Sequence, residues 1–208
     1  VGHVPGDGVV LAGEREDGIV QQARVRFHLG TSDVGARLVG SAGRVEPGAL
    51  VPVRIALDEP VVARAGDRFV LRSPTPPVTI GGGVVTDPQP PSRRAKPWPA
   101  ASAGIAQRLE WIVAERAATG FEVRTAPVSL GVAPSEIASI VRSASALIHV
   151  GEYLFSPAAR DVLALRLIAA VKESHVAHPL EQGMSLQQAR GTMQAREELF
   201  EDVVRTLV

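Results

Sequence analysis

The chain has 208 residues, with 22 basic and 22 acidic side chains and a formal net charge of zero. This balance excludes a uniformly basic nucleic-acid clamp, so any such role must rest on a local patch. The absence of cysteine excludes disulfides, thiolate metal sites and cysteine nucleophiles. No apolar run approaches the roughly 20 residues of a membrane-spanning helix, and no signal peptide opens the sequence. We therefore expect a cytoplasmic protein with no membrane partner.

The sequence lacks the motifs of a nucleotide hydrolase. The two lysines, Lys96 and Lys172, do not follow glycine, so there is no phosphate-binding loop ending in Gly-Lys-Ser/Thr. The chain also contains no asparagine, which removes the Asn-Lys-x-Asp element that reads guanine in GTPases. His175 and His178 lie near Glu181 but have no convincing third metal ligand. We expect neither catalysis nor a metal site in this chain.

Residues 1–88 are predicted to form a β domain. Apolar and basic residues alternate over residues 24–29, which is typical of a strand with one buried face. Similar short runs at 51–57, 61–63, 68–72 and 84–86 are separated by turn signals. Short strands at this spacing favour a small barrel or sandwich. The first twenty residues are rich in glycine and have no regular pattern, which leaves the start of the domain undefined.

Residues 89–100 are predicted to be a linker, because a proline-rich segment favours an extended spacer without internal hydrogen bonds. Arg93, Arg94 and Lys96 give this linker a local positive charge. Two interpretations stay open: a solvated linker, and a strip that contacts phosphate.

From residue 101 the period of the apolar residues becomes helical. Apolar stripes at 105–113 and 137–144, a helical turn at 127–130 and a hairpin at 147–155 give the order helix, helix, helix, hairpin. This order is typical of a winged helix and predicts such a module over residues 101–156. The fold class is thus a multi-domain β + α chain, with an antiparallel β-barrel followed by tandem winged helices.

The second winged helix is predicted at residues 157–208. Ser156-Pro157 forms a typical helix start, and Ser185 with Gln188 fits a capping box. The first helix is predicted to bury Val162, Leu165, Ile168 and Ala169, and the last helix Phe200, Val203, Val204 and Leu207. The sequence stops where the hairpin of this module should begin, so we expect the module to be truncated.

The β domain carries the basic residues that are candidates for RNA binding. Arginine suits this role because its planar donors pair bidentately with phosphate. A barrel with an arginine strip could grip a helical RNA by its shape and phosphates without reading bases. A simply solvated barrel exterior is the alternative. Together with the basic linker residues, the candidates are Arg24, Arg26, His28, Arg37, Arg68 and Arg72.

Three segments of the β domain carry a family resemblance. They are FHLGTSDV at 27–34, GDRFVLRS at 66–73 and PPVTIGGGVV at 76–85. Together they resemble the third domain of the bacterial selenocysteine-specific elongation factor, a relative of elongation factor Tu. The resemblance covers roughly residues 20 to 90, and the basic proline-rich linker followed by winged helices extends it to nearly the whole chain.

This resemblance implies a six-stranded antiparallel barrel that helps to hold selenocysteyl-tRNA for delivery to the ribosome. GTP and Mg²⁺ would belong to a GTPase domain outside this chain, so no cofactor is expected here. The messenger RNA hairpin for selenocysteine insertion would be bound by C-terminal winged helices that are also absent. We therefore expect a central, non-catalytic fragment that contacts tRNA and acts as a spacer.

Two further interpretations remain. The segment with Thr79, Gly81, Gly82 and Gly83 is predicted to be a turn that either packs against the GTPase domain or lets RNA approach the backbone. Alternatively, the chain is a DNA-binding regulator whose β domain senses a ligand. In that case Ser135 and Arg142 would belong to a recognition helix that enters a DNA groove.

Overall fold

A computed structural model of the chain describes residues 6–12, 19–20, 24–39, 44–45, 48–91, 103–178 and 183–207. Contacts divide the chain into two compact units. The barrel unit comprises residues 1–103 and 126–136, and the helical unit comprises residues 104–125 and 137–208. The linker candidates Arg93, Arg94 and Lys96 lie outside the described residues.

The barrel unit contains a closed antiparallel barrel, as the sequence predicts. Six strands follow one another around it in the order β1-β6-β4-β3-β7-β8, and β2 pairs with β5 separately. Strand β1 closes the barrel by pairing with both β6 and β8, although the glycine-rich start of the sequence does not predict a strand there. The strands are β1 (Gly6–Ala12), β2 (Ile19–Val20), β3 (Arg24–Leu29), β4 (Ser32–Val39), β5 (Arg44–Val45), β6 (Leu50–Leu57), β7 (Arg68–Arg72) and β8 (Thr79–Asp87).

Alternating side chains fill the inside of the barrel. Val25, Phe27, Phe69 and Leu71 are buried, and the residues between them on β3 and β7 face outward. The rings of Phe27 and Phe69 lie 5.0 Å apart in a tilted pair. Each fully buried side chain of this size stabilises the fold by about 1.5–3 kcal/mol. The inner face therefore fixes which residues β3 and β7 present to solvent.

A tight hairpin joins β3 to β4. Its two-residue turn is Gly30-Thr31, and Gly30 has a φ of +56°, which glycine adopts without strain. The turn sets the register, so that Arg24 lies opposite Arg37 and His28 lies opposite Asp33. This register brings residues from both strands together on the outer face.

The prediction of a turn at the three consecutive glycines is wrong. Gly81, Gly82 and Gly83 lie inside β8, which is hydrogen-bonded to β1 on one side and to β7 on the other. A Cβ atom on Gly82 would lie only 2.7 Å from the carbonyl oxygen of Phe69. The glycine run therefore allows close approach of the neighbouring β7 backbone within a paired strand.

The remaining elements are mostly helical. The short helix α2 belongs to the barrel unit and the others to the helical unit. They are α1 (Ile105–Arg116), β9 (Phe121–Glu122), α2 (Ala126–Leu130), α3 (Ile137–Ser143), β10 (Ile148–Val150), β11 (Tyr153–Phe155), α4 (Pro157–Ala177), α5 (Leu186–Met193) and α6 (Glu197–Leu207). Short 3₁₀ turns lie at Ala117–Thr119, Val123–Thr125 and Pro134–Glu136.

Helix α2 packs against the loop before β7. The backbone N–H of Ala65 donates to the carbonyl oxygen of Val128 at 2.9 Å. Gly131, which has a φ of +70°, lies so close to the Ala65 carbonyl that a Cβ atom would clash with it. The barrel unit therefore includes a segment from far along the chain, which no local pattern in the sequence indicates.

The helical unit begins with the elements that the sequence predicts. Helix α1 buries Leu109, Ile112 and Val113, and the predicted hairpin is formed by β10 and β11. Strand β9, which the sequence analysis missed, adds a third strand by pairing Phe121 with Leu154. The winged-helix assignment itself stays a prediction.

Helix α4 starts as predicted but buries a different face. The Ser156 hydroxyl accepts a hydrogen bond from the Ala159 N–H at 3.2 Å, which confirms the N-cap. The buried residues are Ala159, Leu163 and Leu167, whereas the predicted Val162 and Leu165 are 55% and 68% exposed. The predicted Ile168 and Ala169 are also exposed, so the predicted stripe is wrong.

The reason is that α4 carries small or apolar residues on several sides, so the 3.6-residue period alone does not select one face. Packing against α5 and α6 determines which face of α4 is buried. Leu163 joins a core that includes Met193, Leu199, Phe200 and Val203. The capping box of Ser185 and Gln188 is present at the start of α5. In α6, Phe200 and Val203 are buried as predicted, but Leu207 is 45% exposed.

Candidate nucleic-acid interface

Five of the predicted RNA-binding residues meet on the outer face of three neighbouring strands. Strand β3 lies between β4 and β7 in the barrel. Its register puts Arg24 opposite Arg37 of β4, and Arg26 opposite Arg72 of β7. Residues directly opposite in an antiparallel pair have Cβ atoms about 4.5–5.5 Å apart. We call this surface the arginine face, formed by Arg24, Arg26, His28, Arg37 and Arg72.

The pair of Arg24 and Arg37 has no counterion within the described part of the chain. Both side chains are exposed, and neither forms an ion pair or hydrogen bond there. Like charges directly opposite on neighbouring strands destabilise a sheet. Among the described residues, the folded barrel therefore has two cations side by side with no acidic partner, an arrangement that an external anion would relieve.

Arg26 is bound differently, because Asp33 of β4 holds it. The Arg26 Nε donates to Asp33 Oδ1 at 2.8 Å, and its Nη2 donates to the Asp33 backbone oxygen at 2.9 Å. The His28 Nε2 lies 3.4 Å from the same Oδ1 atom. The hydrogen bond from Arg26 lowers the pKa of Asp33, and the charges of Arg26, His28 and Arg72 act in the same direction. Asp33 is therefore ionised at neutral pH.

Two further acidic residues lie beside Arg26. The hydrogen bond to Asp33 raises the pKa of Arg26 most, and the charges of Glu59 and Asp58 raise it further. The Asp58 carboxylate lies over Gly35, where a Cβ atom would clash with it, and the Asp58 N–H donates to the Gly35 carbonyl at 2.8 Å. The arginine face is thus mixed in charge around Arg26, whereas no acidic side chain of the described residues forms an ion pair with Arg24 or Arg37.

The sequence analysis listed the basic residues of this face and missed Asp33. The sequence does contain the information that places Asp33 on this face. A two-residue turn at Gly30-Thr31 between two runs of alternating residues fixes the register of the hairpin. That register places Asp33 opposite His28 and diagonally across from Arg26, whose direct partner is Gly35.

Arg68 lies apart from the arginine face. It is exposed on β7 opposite Val84, four residues from Arg72, which is about 13 Å along a strand. Thr79 is exposed and lies opposite Arg72. The structure therefore brings Thr79 to the edge of the arginine face and leaves Arg68 outside it.

Other chemistry is not indicated by the described residues. Within the described ranges, no group of three His, Asp or Glu side chains could hold a metal ion. His175 and His178 are exposed at the end of α4 and just after it. Among the helices that the structure describes, none has the length and apolar character to cross a membrane.

A comparison with family models bears on the barrel. Residues 7–92 match the model described as "Selenocysteine-specific elongation factor, beta-barrel domain". This part of the chain is therefore similar to the β-barrel domain of selenocysteine-specific elongation factors. This match starts in β1 and ends just beyond β8, so it includes all six strands of the barrel. The search of curated proteins found no match.

A likeness in fold extends beyond the barrel. A crystal structure of the bacterial selenocysteine-specific elongation factor EF-Sec aligns with 99% of this chain at a TM-score of 0.65 and 14% sequence identity. The alignment covers 32% of that protein, so the present chain spans about a third of its length. At this identity the likeness concerns the fold, and the order of a curled β-sheet followed by a helical region is common to both.

Proposed function

We propose that this chain is the central part of a selenocysteine-specific elongation factor that delivers selenocysteyl-tRNA to the ribosome, and that the arginine face contacts the tRNA backbone. The family of the barrel supports the translation role. The observation that carries the RNA contact is the exposed Arg24–Arg37 pair, which has no counterion in the part of the chain described.

The proposed contact works through shape and charge. Neighbouring strands lie about 4.8 Å apart. The guanidinium groups of Arg24 and Arg37 on two such strands can each donate two parallel hydrogen bonds to phosphate oxygens. An RNA helix presents its phosphates in a regular array, so a convex barrel with such donors can bind it without base contacts. Phosphate binding would also remove the repulsion between Arg24 and Arg37.

The chain itself would carry out no catalysis. GTP and Mg²⁺ would be bound by a GTPase domain of the full-length factor, and the messenger RNA hairpin by further C-terminal modules. The helical unit, interpreted as winged-helix modules, would serve as a spacer between these activities in the cytoplasm. As a DNA-recognition element, α3 offers one basic side chain, Arg142, which makes the regulator hypothesis the weaker one.

A binding experiment with charge-matched variants tests this proposal. The probe is an in-vitro transcribed selenocysteine tRNA, measured by filter binding to the 208-residue chain at several salt concentrations. We expect Arg24→Gln and Arg37→Gln each to weaken binding about fivefold and to reduce the salt slope by about one. Arg64→Gln removes the same charge from a residue that is already paired with Asp67 and serves as the control.

Three results would contradict the proposal. The first is an Arg64→Gln effect equal to that of Arg24→Gln, which would indicate unspecific attraction. The second is the absence of tRNA binding at low salt. The third is tighter binding to a DNA duplex that is lost with Arg142→Gln, which would favour the regulator.

A further inference from the structure

Asp33 occupies two donors of Arg26, one with its carboxylate and one with its backbone oxygen. The Asp33 side-chain and backbone oxygens accept from the Nε and Nη2 of the same guanidinium, at 2.8 and 2.9 Å. Both side chains are about half exposed, at 42% for Arg26 and 50% for Asp33, so the contact lies on the surface that RNA would approach. Two donors of Arg26 are therefore already in use.

The neighbouring pair shows the opposite arrangement. Arg24 lies two residues before Arg26 on β3 and Arg37 lies four residues after Asp33 on β4, and no acidic residue of the described chain is paired with either. Asp58 and Glu59 add negative charge near Arg26. A phosphate that reached Arg26 would have to displace Asp33 and approach the carboxylates of Asp58 and Glu59. At Arg24 and Arg37, no acidic side chain of the described residues is paired with either guanidinium.

We propose that Asp33 acts as an internal substitute for phosphate, which withholds Arg26 from RNA and confines phosphate binding to the Arg24–Arg37 pair. This inference rests on the proposed RNA contact and makes it more specific. Asp33 is a specificity-determining residue in this view. It limits the number of phosphates that the barrel can neutralise, and so limits the affinity for RNA in general, because each neutralised phosphate adds to unspecific affinity.

The local fold keeps this arrangement in place. The two-residue turn at Gly30-Thr31 fixes Asp33 opposite His28, and the lowered pKa of Asp33 keeps its carboxylate charged near neutral pH. Hydrogen bonds from a guanidinium to a carboxylate are among the stronger polar contacts of a protein surface. Replacement of the aspartate by asparagine removes the charge and preserves the size of the side chain.

The test uses three variants of the whole chain with the same tRNA transcript and with an unrelated RNA hairpin. Asp33→Asn removes the negative charge that competes with phosphate at Arg26 and keeps the backbone oxygen that accepts from Nη2. We therefore expect binding to both RNAs to tighten about two- to fivefold, with a salt slope steeper by about one. The double variant Asp33→Asn with Arg26→Gln removes both charges of the pair, so we expect an affinity within about twofold of the unmodified chain. Arg24→Gln is expected to weaken binding.

The outcomes separate this inference from the proposed function. If Arg24→Gln has no effect, the RNA contact fails and the inference fails with it. If Arg24→Gln weakens binding but Asp33→Asn leaves it unchanged or weaker, the inference alone is overturned. The same holds if the double variant binds as weakly as Arg24→Gln, because Arg26 would then contact phosphate in the unmodified chain. Thermal unfolding by circular dichroism checks folding, and Asp33→Ser provides a second uncharged variant.

Discussion

Some arginines of the two units differ in the partners that they have within the described chain. In the helical unit, Arg160 pairs with Asp202 at 3.4 Å and Arg190 pairs with Glu197 at 2.7 Å. In the barrel unit, Arg24 and Arg37 lie side by side on the surface, and the described residues offer them no carboxylate. Arg160 and Arg190 therefore contribute to the packing of the helical unit, whereas Arg24 and Arg37 are the arginines for which we propose an external anion.

Arg196 of the helical unit also contacts its own unit, through an aromatic ring and a backbone carbonyl. The guanidinium of Arg196 lies 3.8 Å from the ring centroid of Tyr153, and its Nε donates to the Thr119 carbonyl at 3.0 Å. Stacked and hydrogen-bonded guanidinium groups of this kind contribute about 0.5–2 kcal/mol to packing. Arg196 therefore acts as a structural residue, although in sequence it resembles the arginines of the barrel.

The largest expected effect comes from core truncations, one in each unit. Leu71 in the barrel and Leu199 in the helical unit are both fully buried, so replacing either with alanine should cost about 2–5 kcal/mol of stability. Only Leu71→Ala should also reduce tRNA binding, because Leu71 pairs with Phe27 of β3, the strand that carries Arg24. Denaturant unfolding by circular dichroism and filter binding measure the two effects. Loss of tRNA binding in a folded Leu199→Ala variant would contradict the separation of roles.

A smaller effect is expected from adding one methyl group at a glycine in each unit. Gly82→Ala should destabilise the barrel by about 1–3 kcal/mol, because the new Cβ would lie 2.7 Å from the Phe69 carbonyl oxygen. Gly191→Ala in α5 meets nothing within 4 Å and should stabilise that helix by up to about 1 kcal/mol. Thermal unfolding compares both with the unmodified chain. Equal stability of the two variants would mean that β8 does not need its close approach to β7.

The sequence predicts features that depend on local pattern. The alternation at 24–29 gives a strand, and Ser156-Pro157 marks the start of α4, because neighbouring residues determine both. The sequence analysis fails for elements whose structure depends on residues that are distant in the chain. Strand β1 exists because β6 and β8 supply its backbone partners, and the glycines of β8 look like a turn until β1 and β7 are placed beside them.

The distinction between local pattern and distant contacts also explains which features of the arginine face the sequence predicts. The basic residues of β3 alternate, so the sequence predicts that they share one face. The division of that face into a paired Arg26 and an unpaired Arg24–Arg37 couple depends on the hairpin register and on the approach of Asp58 from another strand end. Neither is visible in composition or in the spacing of arginines alone.

The smallest effect concerns acid stability. The pKa of Asp33 is lowered in the folded chain, so its ion pair stabilises the fold above the ordinary aspartate pKa and is lost as the pH falls through the lowered value. The melting temperatures of the unmodified chain and of Asp33→Asn should therefore differ at neutral pH and converge in strong acid. A difference that persisted or grew on acidification would show that Asp33 contributes through something other than its charge.

The most direct test of the central claim compares stability and tRNA binding in Arg24→Gln. If the barrel keeps two uncompensated arginines for an external phosphate, this variant should be more stable by about 0.2–1 kcal/mol, because it removes a like-charge pair. It should also bind tRNA less tightly. A variant that unfolds more easily and binds tRNA as well as the unmodified chain would show that Arg24 serves the fold, and would contradict the account.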